Sequence, residues 1–364
     1  MLSRADDYPV HQRPEPIAQA GTDRNFYDRY FFNAQDPDGS VFFGAALGVY
    51  PHLDVMDGAF ALLEGGTQRS VFVSRHLGGE RMATRVGPLA VEVLEPLQRL
   101  RVRLDDTSDL FADLVFEGLH PPVEEPRFTW RIGPRTIMDA TRMTQNVSVS
   151  GTIRVDGREL ALAGFAGTRD RSWGIRPIGA PDAQPPAPPA SPQFFWLWAP
   201  LVFPSACLYA HVNEDGAGRA WNRAMRLIDR RTGAETELEG PRFAIDWLPG
   251  SRTARAASIE GTLPDGGTLR VELAVRGRFF MHGLGYGHPR FGHGLWRGPL
   301  DVAAERFEAA GADLATPMNA HVQALVAARL IRPGGRAEDG QGVLEQLVIG
   351  PHAPSGFRDL FDLA

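Results

Sequence analysis

Short β-rich runs recur along the whole chain, and this spacing is the sequence feature that most constrains the fold. Runs of alternating or β-branched residues, such as 40–50, 100–104, 147–155 and 206–212, follow one another at intervals of about ten residues. Gly, Pro and Asp residues separate them. Such spacing favours a β-sandwich or β-barrel over a parallel sheet with crossover helices. We therefore predict an all-β fold of antiparallel strands with few short helices.

Local turn sequences support this prediction. Asp156-Gly157 joins two β-rich runs, as a tight hairpin requires, and Asp265-Gly266-Gly267 does the same later in the chain. Helical patterns are rare, and the best candidates for helices are residues 301–310, 320–329 and 24–31.

A proline-rich segment at residues 179–192 divides the chain nearly in half. Its sequence, GAPDAQPPAPPASP, cannot supply a sheet ladder and predicts an extended surface linker. Similar patterns close the two halves, which indicates either two barrels of one kind or a coincidence among strands. The predicted organisation is a loose N-terminal arm at 1–22, a first barrel at 23–178, this linker, and a second barrel at 193–357 whose start can lie as late as about residue 235.

Composition argues against several classes of function. The formal net charge is -6 and no basic cluster stands out, so nucleic acid is not an expected partner. No run of about 18 apolar residues is present, and the first residues lack an apolar signal-peptide core, so we expect a cytoplasmic protein without a transmembrane segment. The single cysteine, Cys207, lies in an apolar run and is expected to fill space rather than act as a nucleophile.

The familiar cofactor and hydrolase motifs are missing. The sequence has no Gly-x-Gly-x-x-Gly at the start of a helix, no P-loop, no Gly-x-Ser-x-Gly elbow and no Cys-x-x-Cys pair. We expect no cofactor, no phosphoryl transfer and no ordinary hydrolase chemistry.

The first cluster of candidate site residues lies at 167–176. On a strand, Arg169, Arg171 and Trp173 share one face, with Asp170 on the other. The Arg-Asp-Arg run suits a charge-assisted network around a carboxylate. The alternative is a structural salt bridge that closes a barrel end.

The second cluster is aromatic. Trp196 and Trp198 are two residues apart and predict two indoles on one inner wall of a barrel, suited to an apolar or aromatic ligand or to a developing positive charge. Tyr209 and His211, also two apart, add polar groups on one face of the following strand. The alternative is an aromatic core without a ligand.

The third cluster is a glycine-rich loop that holds His282, Tyr286, His288 and His293. Three histidines suggest zinc, but spacings of six and five residues match no standard metal motif. The other interpretations are histidines that bond the backbone of a tight loop at a barrel mouth, or acid–base groups.

Glu345 is an acid within an otherwise apolar strand. A carboxylate that faces a barrel interior needs a partner or its pKa rises. The residue is thus either a general acid or the structural partner of an arginine.

Four segments resemble the carotenoid 1,2-hydratase (hydroxyneurosporene synthase) and AttH-like superfamily, in particular its two-domain bacterial members of unknown function. One of them looks like the family's Asp-His-x-Trp-Gly region, with Asp170 and Trp173 in place and Arg171 where the family has histidine. Because arginine cannot give up a proton near neutral pH, the resemblance carries no proton donor to that position. The four segments are residues 86–96, 169–174, 285–298 and 342–352.

The resemblance implies two lipocalin-like antiparallel β-barrels packed together, with a pocket in or between them for a hydrophobic small molecule. Its members hydrate isoprenoid double bonds or, in fungi, promote pericyclic cyclisations, without a redox cofactor. We therefore expect a lyase, hydratase or isomerase that acts by acid–base chemistry on a terpenoid or aromatic compound, as a monomer or homodimer. A non-catalytic lipid- or isoprenoid-binding protein is the alternative, and a metal-dependent enzyme using the three histidines is a weaker one.

The site residues expected from these patterns fall into two sets. Catalytic roles are expected for Asp170, Glu345, Tyr209 and His288. Ligand contacts are expected from Arg169, Arg171, Trp173, Trp196, Trp198, His211, His282, Tyr286 and His293.

Overall fold

The computed structural model describes residues 2–11, 23–184 and 192–364, and in these parts the chain is built from antiparallel strands. The strands are β1 (Phe26–Gln35), β2 (Val41–Tyr50), β3 (Val55–Glu64), β4 (Thr67–His76), β5 (Arg85–Val86), β6 (Leu89–Glu95), β7 (Arg99–Thr107), β8 (Leu110–Gly118), β9 (Val123–Glu124), β10 (Phe128–Ile132), β11 (Arg135–Val155), β12 (Arg158–Leu160), β13 (Ala166–Ile175), β14 (Phe194–Val202), β15 (Ala206–Glu214), β16 (Ala220–Asp229), β17 (Glu235–Glu237), β18 (Glu239–Trp247), β19 (Ala254–Thr262), β20 (Thr268–Phe280), β21 (Leu300–Glu308), β22 (His321–Ile331) and β23 (Ala337–Ile349). Short 3₁₀ turns lie at Arg4–Asp7, Pro51–Leu53, Met281–Leu284, Pro317–Asn319 and Ala353–Ser355.

Two antiparallel sheets carry the strands, and each curls into a nearly closed barrel. The first sheet has the order β21-β4-β3-β2-β1-β13-β11-β8-β7-β6-β5, with β9, β10 and β12 also paired to β11. The second has the order β17-β16-β15-β14-β23-β22-β20-β19-β18. Among the described residues no helix reaches seven residues. The predicted all-β fold with two barrels is thus confirmed.

Each barrel has its own apolar core. In the first, Phe32, Phe60 and Leu114 are fully buried within one cluster that lies on the inner face of the sheet. In the second, Leu197 and Leu344 are fully buried in the corresponding cluster. Burial of large aliphatic and aromatic side chains at about 25 cal/mol per Å² is the main stabilising contribution to such a core.

The central strands are buried on both faces. In β2 every residue after Val41 is buried, and β15 is buried from Ala206 to Asn213. This explains why the sequences of these strands are nearly continuous apolar runs and do not alternate between apolar and polar residues. It also means that polar side chains on the face away from the core need hydrogen-bond partners.

The chain divides into two compact units that are not continuous in sequence. The first unit holds the described residues up to Asp36, those from Val41 up to the proline-rich segment, and His282–Phe307. The second holds Pro37–Ser40, the chain from the proline-rich segment to Met281, and Glu308–Ala364. The inserted segment joins the first sheet through β21, which pairs with β4.

The three segments predicted as helices are strands, and those predictions were wrong. Residues 24–31 fall largely in β1, 301–310 in β21 and 320–329 in β22. Ala, Glu and Arg favour helices in isolation, but ladder hydrogen bonds and burial override a propensity of a few tenths of a kcal/mol per residue, about 0.7 at most. β22, for example, pairs with strands on both sides along its whole length.

The predicted hairpin turns are confirmed. Val155 pairs with Arg158 across Asp156 and Gly157, whose φ angles are 49° and 74°. A two-residue hairpin turn that matches the twist of its strands requires positive φ at both central residues. Asp and Gly adopt such φ angles more readily than most residues, which explains the Asp-Gly pair at this turn. The Asp265-Gly266-Gly267 turn likewise joins β19 to β20.

Part of the predicted loose arm is packed against the first barrel. Arg4–Asp7 forms a 3₁₀ turn, and the Asp7 side chain is fully buried. Residues 12–22 lie outside the described residues, as do residues 185–191 of the predicted linker. A helix able to span a membrane is absent from the described ranges. Cys207 is fully buried, and burial raises the pKa of its thiol to about 12, which leaves it unreactive.

A substitution at Gly342 tests how closely the strands of the second sheet pack. A Cβ at this position would lie 2.2 Å from the carbonyl oxygen of Pro200 and 3.0 Å from Leu201 Cα. We expect Gly342→Ala to lower the free energy of unfolding by about 1–3 kcal/mol, because the neighbouring backbone must shift. Urea denaturation followed by tryptophan fluorescence measures this.

Gly277→Ala is the control in the same sheet, because a Cβ there comes no closer than 3.9 Å to its neighbour, Leu325 Cδ2. It should leave the stability unchanged or raise it slightly, since alanine restricts the unfolded chain. Equal losses of stability in the two variants would contradict the packing described for Gly342.

Candidate functional site

A buried carboxylate with three nitrogen donors forms the centre of the candidate site in the second unit. Glu345 in β23 is 8% exposed. Its Oε1 accepts hydrogen bonds from Trp196 Nε1 at 3.1 Å and His321 Nε2 at 2.9 Å, and its Oε2 accepts one from Gln323 Nε2 at 2.7 Å. We call these four residues the Glu345 cluster. Donors on both oxygens hold the carboxylate in one orientation.

A second hydrogen-bonded chain lies on the same sheet face. The hydroxyl of Tyr209 bonds His211 Nδ1, and His211 Nε2 lies 3.2 Å from Asn222 Oδ1. Because an amide oxygen only accepts, Nε2 carries the proton of the imidazole, and Nδ1 accepts from the tyrosine. In the neutral tautomer with its proton on Nε2, the imidazole can take up a proton at Nδ1 by way of the tyrosine hydroxyl.

The indoles of Trp196 and Trp198 lie beside both Glu345 and His211. The ring of Trp196 lies 5.7 Å from that of His211, while its N–H reaches Glu345. Trp198 is 1% exposed and lies directly opposite both His211 and Glu345 in the strand register. The structure thus brings together five predicted site residues, namely Trp196, Trp198, Tyr209, His211 and Glu345.

The face on which these residues lie corrects one expectation. Trp196, Trp198 and Glu345 were expected to face a barrel interior, but the alternating residues Leu197 and Leu344 belong to the apolar core. The tryptophans and the carboxylate therefore lie on the opposite face. Alternation shows which residues share a face, and it does not show which face turns inward.

Sequence reasoning missed His321 and Gln323, although both touch Glu345. They lie in the segment predicted as a helix from 320 to 329, where they would not share a face. Once the segment is a strand, residues two apart lie on one face, and Gln323 is directly opposite Glu345. The two-residue spacing of His321 and Gln323 was present in the sequence, but the helical period assigned to this segment concealed it.

The cluster predicted at 167–176 lies in the first unit and alternates as expected. Arg169 pairs in register with Phe32, which belongs to the barrel core, so Arg169, Arg171 and Trp173 face inward. Asp170 lies on the other face and is 8% exposed. Successive side chains of a strand point to opposite faces, so this alternation follows from the sequence once the segment is a strand.

The carboxylates that pair with the two arginines come from elsewhere in the chain. Arg169 Nη1 lies 2.6 Å from Asp7 Oδ1, and Arg171 Nη2 lies 2.6 Å from Asp28 Oδ1. All four side chains are at most 2% exposed. A network of this kind fits the salt-bridge interpretation, with Asp7 and Asp28 as carboxylates that pair with the arginines.

The histidines of residues 282–293 have separate partners in the first unit. The ring of His282 packs edge-on against Phe307 at 4.6 Å, and His288 Nε2 lies 3.1 Å from Glu305 Oε2. His288 Nδ1 also accepts two backbone N–H bonds, as the loop interpretation predicts. Within the described ranges no group of three or more His, Cys, Asp or Glu side chains is placed to hold a metal ion.

His293 is held by two arginines. Arg29 and Arg176 each approach its Nδ1 at 3.2 Å, and its Nε2 lies 3.0 Å from the carbonyl oxygen of Leu284. Guanidinium groups only donate, so Nδ1 accepts and Nε2 carries the proton. The ring of Tyr286 meets His293 edge-on at 4.5 Å. This arrangement fixes the loop and keeps the imidazole neutral.

Asp57 is a buried acid that sequence reasoning missed. It accepts hydrogen bonds from Tyr50 OH at 3.0 Å and from the Gly294 backbone N–H at 2.6 Å. Burial raises the pKa of Asp57 to about 6. The hydrogen bonds from Gly294 and Tyr50 and the charge of Arg29 each lower this pKa but do not outweigh the burial. Burial likewise raises the pKa of Tyr50, which stays a hydroxyl donor. The signal was an acid within an apolar strand, the same one that singled out Glu345.

Solved structures of low sequence identity share the fold. A putative AttH protein from Nitrosomonas europaea superposes with a TM-score of 0.54 at 15% identity, over 93% of this chain and 98% of that one. CghA superposes with a TM-score of 0.52 at 11% identity, over 93% and 96% of the two chains. Kievitone hydratase from Nectria haematococca gives 0.47 at 11% identity, over 94% and 95%. The first two structures show that the fold of this chain is shared with the putative AttH protein and CghA, as the resemblance implies.

A family model covers almost the whole chain. It describes a family of unknown function, DUF8625, and it matches residues 2–358. No curated protein matches the sequence.

The titration of Asp57 predicts a pH dependence of stability. Its carboxyl has a pKa of about 6 in the folded protein and an ordinary value of 3.8. Well below pH 3.8 the group is protonated in both states, whereas between pH 3.8 and about 6 only the unfolded state ionises readily, so the folded state loses stability across this interval. We expect up to about 3 kcal/mol of stability to be lost as the pH rises from 4 to 7.

Asp57→Asn cannot titrate, so its unfolding free energy relative to the parent should rise over the same pH range. Chemical denaturation at pH 4, 5, 6 and 7 measures the difference. Asp109→Asn, at an exposed position, is the control and should track the parent. A constant difference between Asp57→Asn and the parent across this range would contradict the burial described for Asp57.

Proposed function

The chain belongs to this family of unknown function, and from its buried polar groups we propose that it is an enzyme of the lyase, hydratase or isomerase type. It acts by acid–base chemistry on a hydrophobic terpenoid or aromatic small molecule and needs no cofactor. The observation that carries the proposal is the Glu345 cluster, in which a carboxylate and an imidazole are paired beside two indoles.

The carboxylate orients the proton carrier. Glu345 accepts from His321 and stabilises that imidazole when it is protonated. The bonds from Trp196 and Gln323 keep the carboxylate from rotating. Oriented dipoles in a buried site stabilise developing charge without reorganisation, which is the main source of catalytic power in many enzymes. This makes His321 the proton donor and Glu345 the residue that positions and stabilises it.

The indoles suit a cationic intermediate. Transfer of the His321 proton to one carbon of a double bond leaves a positive charge on the other carbon. The faces of Trp196 and Trp198 stabilise such a charge, because aromatic rings are electron-rich on their faces. Their apolar surface also suits a hydrophobic substrate and excludes bulk water.

The Tyr209–His211 pair completes the reaction. In a hydration, water adds to the cationic carbon and loses a proton to this pair, which relays it to His211 Nδ1. In an isomerisation, the same pair removes a proton from the neighbouring carbon, and no water is added. Both outcomes balance, since His321 gives one proton and His211 gains one, and proton exchange with water then returns each imidazole to its starting state.

Two predicted catalytic residues lie outside this proposal. His288 already bonds Glu305 and two backbone N–H groups. Asp170 is in the first unit, beside the arginines of β13. Roles in catalysis for these residues stay predictions.

A substrate screen in isotopically labelled water tests the proposal. The purified full-length chain is incubated with acyclic isoprenoids and prenylated aromatic compounds in deuterated, ¹⁸O-enriched water, and products are analysed by mass spectrometry. A hydratase incorporates both labels, an isomerase only deuterium. We expect Glu345→Gln to slow the labelling by about 10²–10⁴-fold, the usual contribution of acid–base catalysis.

Glu338→Gln is the matched control, because it makes the same substitution in the same strand at a residue that bonds Ser205 and Arg332. It should retain the parent rate. If compounds bind tightly but are recovered without either label, the protein is a carrier and the enzymatic proposal is wrong. Equal rates for Glu345→Gln and the parent would remove Glu345 and its partner from the mechanism.

A further inference from the structure

The N-terminal segment 4–11 reaches into a charged recess of the first barrel, with Asp7 and Pro9 buried and Arg4 and Ala5 exposed. The carboxylate of Asp7 is fully buried and receives bonds from Arg169 Nη1, at 2.6 Å, and from the backbone N–H of Leu97. The hydroxyl of Tyr30 donates to the Asp7 carbonyl oxygen. These contacts join a segment at one end of the chain to strands β1 and β13.

Arg171 and Trp173 hold the rest of this segment. Arg171 donates to the carbonyl oxygen of Tyr8 at 3.0 Å and to that of Asp6 at 3.2 Å. The ring of His11 stacks on Trp173 with centroids 3.6 Å apart and an interplanar angle of 9°. The segment thus places a carboxylate on one arginine and a flat ring on an indole.

The segment supplies the buried carboxylate that pairs with Arg169. Arg169, Arg171 and Asp28 belong to β13 and β1, whereas Asp7 belongs to the segment. Without Asp7, Arg169 would lose this salt-bridge partner, and an unpaired buried charge costs several kcal/mol. An anion from another source that reached Arg169 would restore such a pair.

The pKa shifts of Arg169 and Asp28 agree with this pairing. Burial lowers the pKa of Arg169, and Asp7 opposes that effect. Burial acts to raise the pKa of Asp28, but Arg171 and His11 outweigh it and leave the pKa below its usual value. Both groups are charged near neutral pH, so the recess is an ion-pair site.

One donor of the recess remains available. Arg171 is fully buried, and its Nη1 bonds no acceptor among the described residues. A second carboxylate oxygen, which the segment does not supply at this position, would satisfy it.

We propose that Arg169, Arg171 and Trp173 form a binding site for a planar aromatic carboxylate, and that residues 4–11 occupy it as a displaceable internal ligand. The acid group replaces the Asp7 carboxylate on Arg169 and reaches Arg171 Nη1. The aromatic ring replaces His11 on Trp173. This site lies in the first unit and does not depend on the activity proposed for the Glu345 cluster.

An internal ligand competes strongly with a free one. A tethered group has an effective concentration in the millimolar range, so an aromatic acid in solution binds only to the fraction of molecules whose recess is open. Loss of the tethered carboxylate and ring should therefore tighten binding without any new contact.

The test compares full-length variants by isothermal titration calorimetry with 2-naphthoate as the probe. Asp7→Ala/His11→Ala should bind 2-naphthoate at least about 10-fold more tightly than the parent. Adding Arg169→Gln to that variant should abolish the gain. Asp54→Ala/His76→Ala, the control, removes one Asp and one His from the same unit, at a pair whose partner atoms lie 2.9 Å apart, and should behave as the parent. The neutral analogue 2-naphthamide should show no gain in any variant.

Hydrogen exchange of the unmodified protein provides an independent readout, which decides the matter if the double variant fails to fold. Saturating 2-naphthoate should raise the exchange of amides within residues 5–11, and 2-naphthamide should not. Unchanged exchange at saturation, an affinity of the double variant equal to the parent, or a gain that survives Arg169→Gln would each overturn the proposal.

Discussion

The burial of both faces of the central strands is the constraint on which the rest of this structure depends. One face of each strand builds an apolar barrel core, as with Leu197 and Leu344. The other face is also removed from water, and in β14, β15 and β23 it carries tryptophans, a tyrosine, a histidine and a glutamate. Because a buried polar group without a partner costs about 1–3 kcal/mol, every such side chain must be matched to a neighbour.

This requirement produces networks from residues far apart in sequence. Glu345 is matched by donors on two flanking strands, and Asp7 is matched by Arg169, which lies 162 residues later. Partners of this kind fix side chains in single orientations, and fixed orientation is also what acid–base chemistry and ligand recognition need. Stability and the proposed functions therefore draw on the same hydrogen bonds.

Much of the fold could be predicted from the sequence, because strand periodicity and turn chemistry are local. The Asp156-Gly157 hairpin and the alternation of Arg169, Asp170 and Arg171 are examples. The segment at 320–329 was misassigned because its alanines and arginines favour helices, and only pairing on both sides makes it a strand. Local patterns carry no information about such pairing.

The site was predictable only in part for the same reason. The pairs Trp196/Trp198 and Tyr209/His211 could be placed on shared faces, but not on the face away from the core. The partner His321 and the occupant Asp7 depend on contacts across the sheet or across the barrel, which single-sequence patterns do not contain. The buried Asp57 carried the same local signal as Glu345 and was missed.

The most direct test of the account is a crystal structure of the protein with the apolar molecule that co-purifies with it from its native host. The account predicts electron density for that molecule against the indoles of Trp196 and Trp198, with a reactive carbon or oxygen within reach of His321. A molecule lodged among the core side chains around Leu197 or Phe32, with the Glu345 cluster untouched, would contradict it.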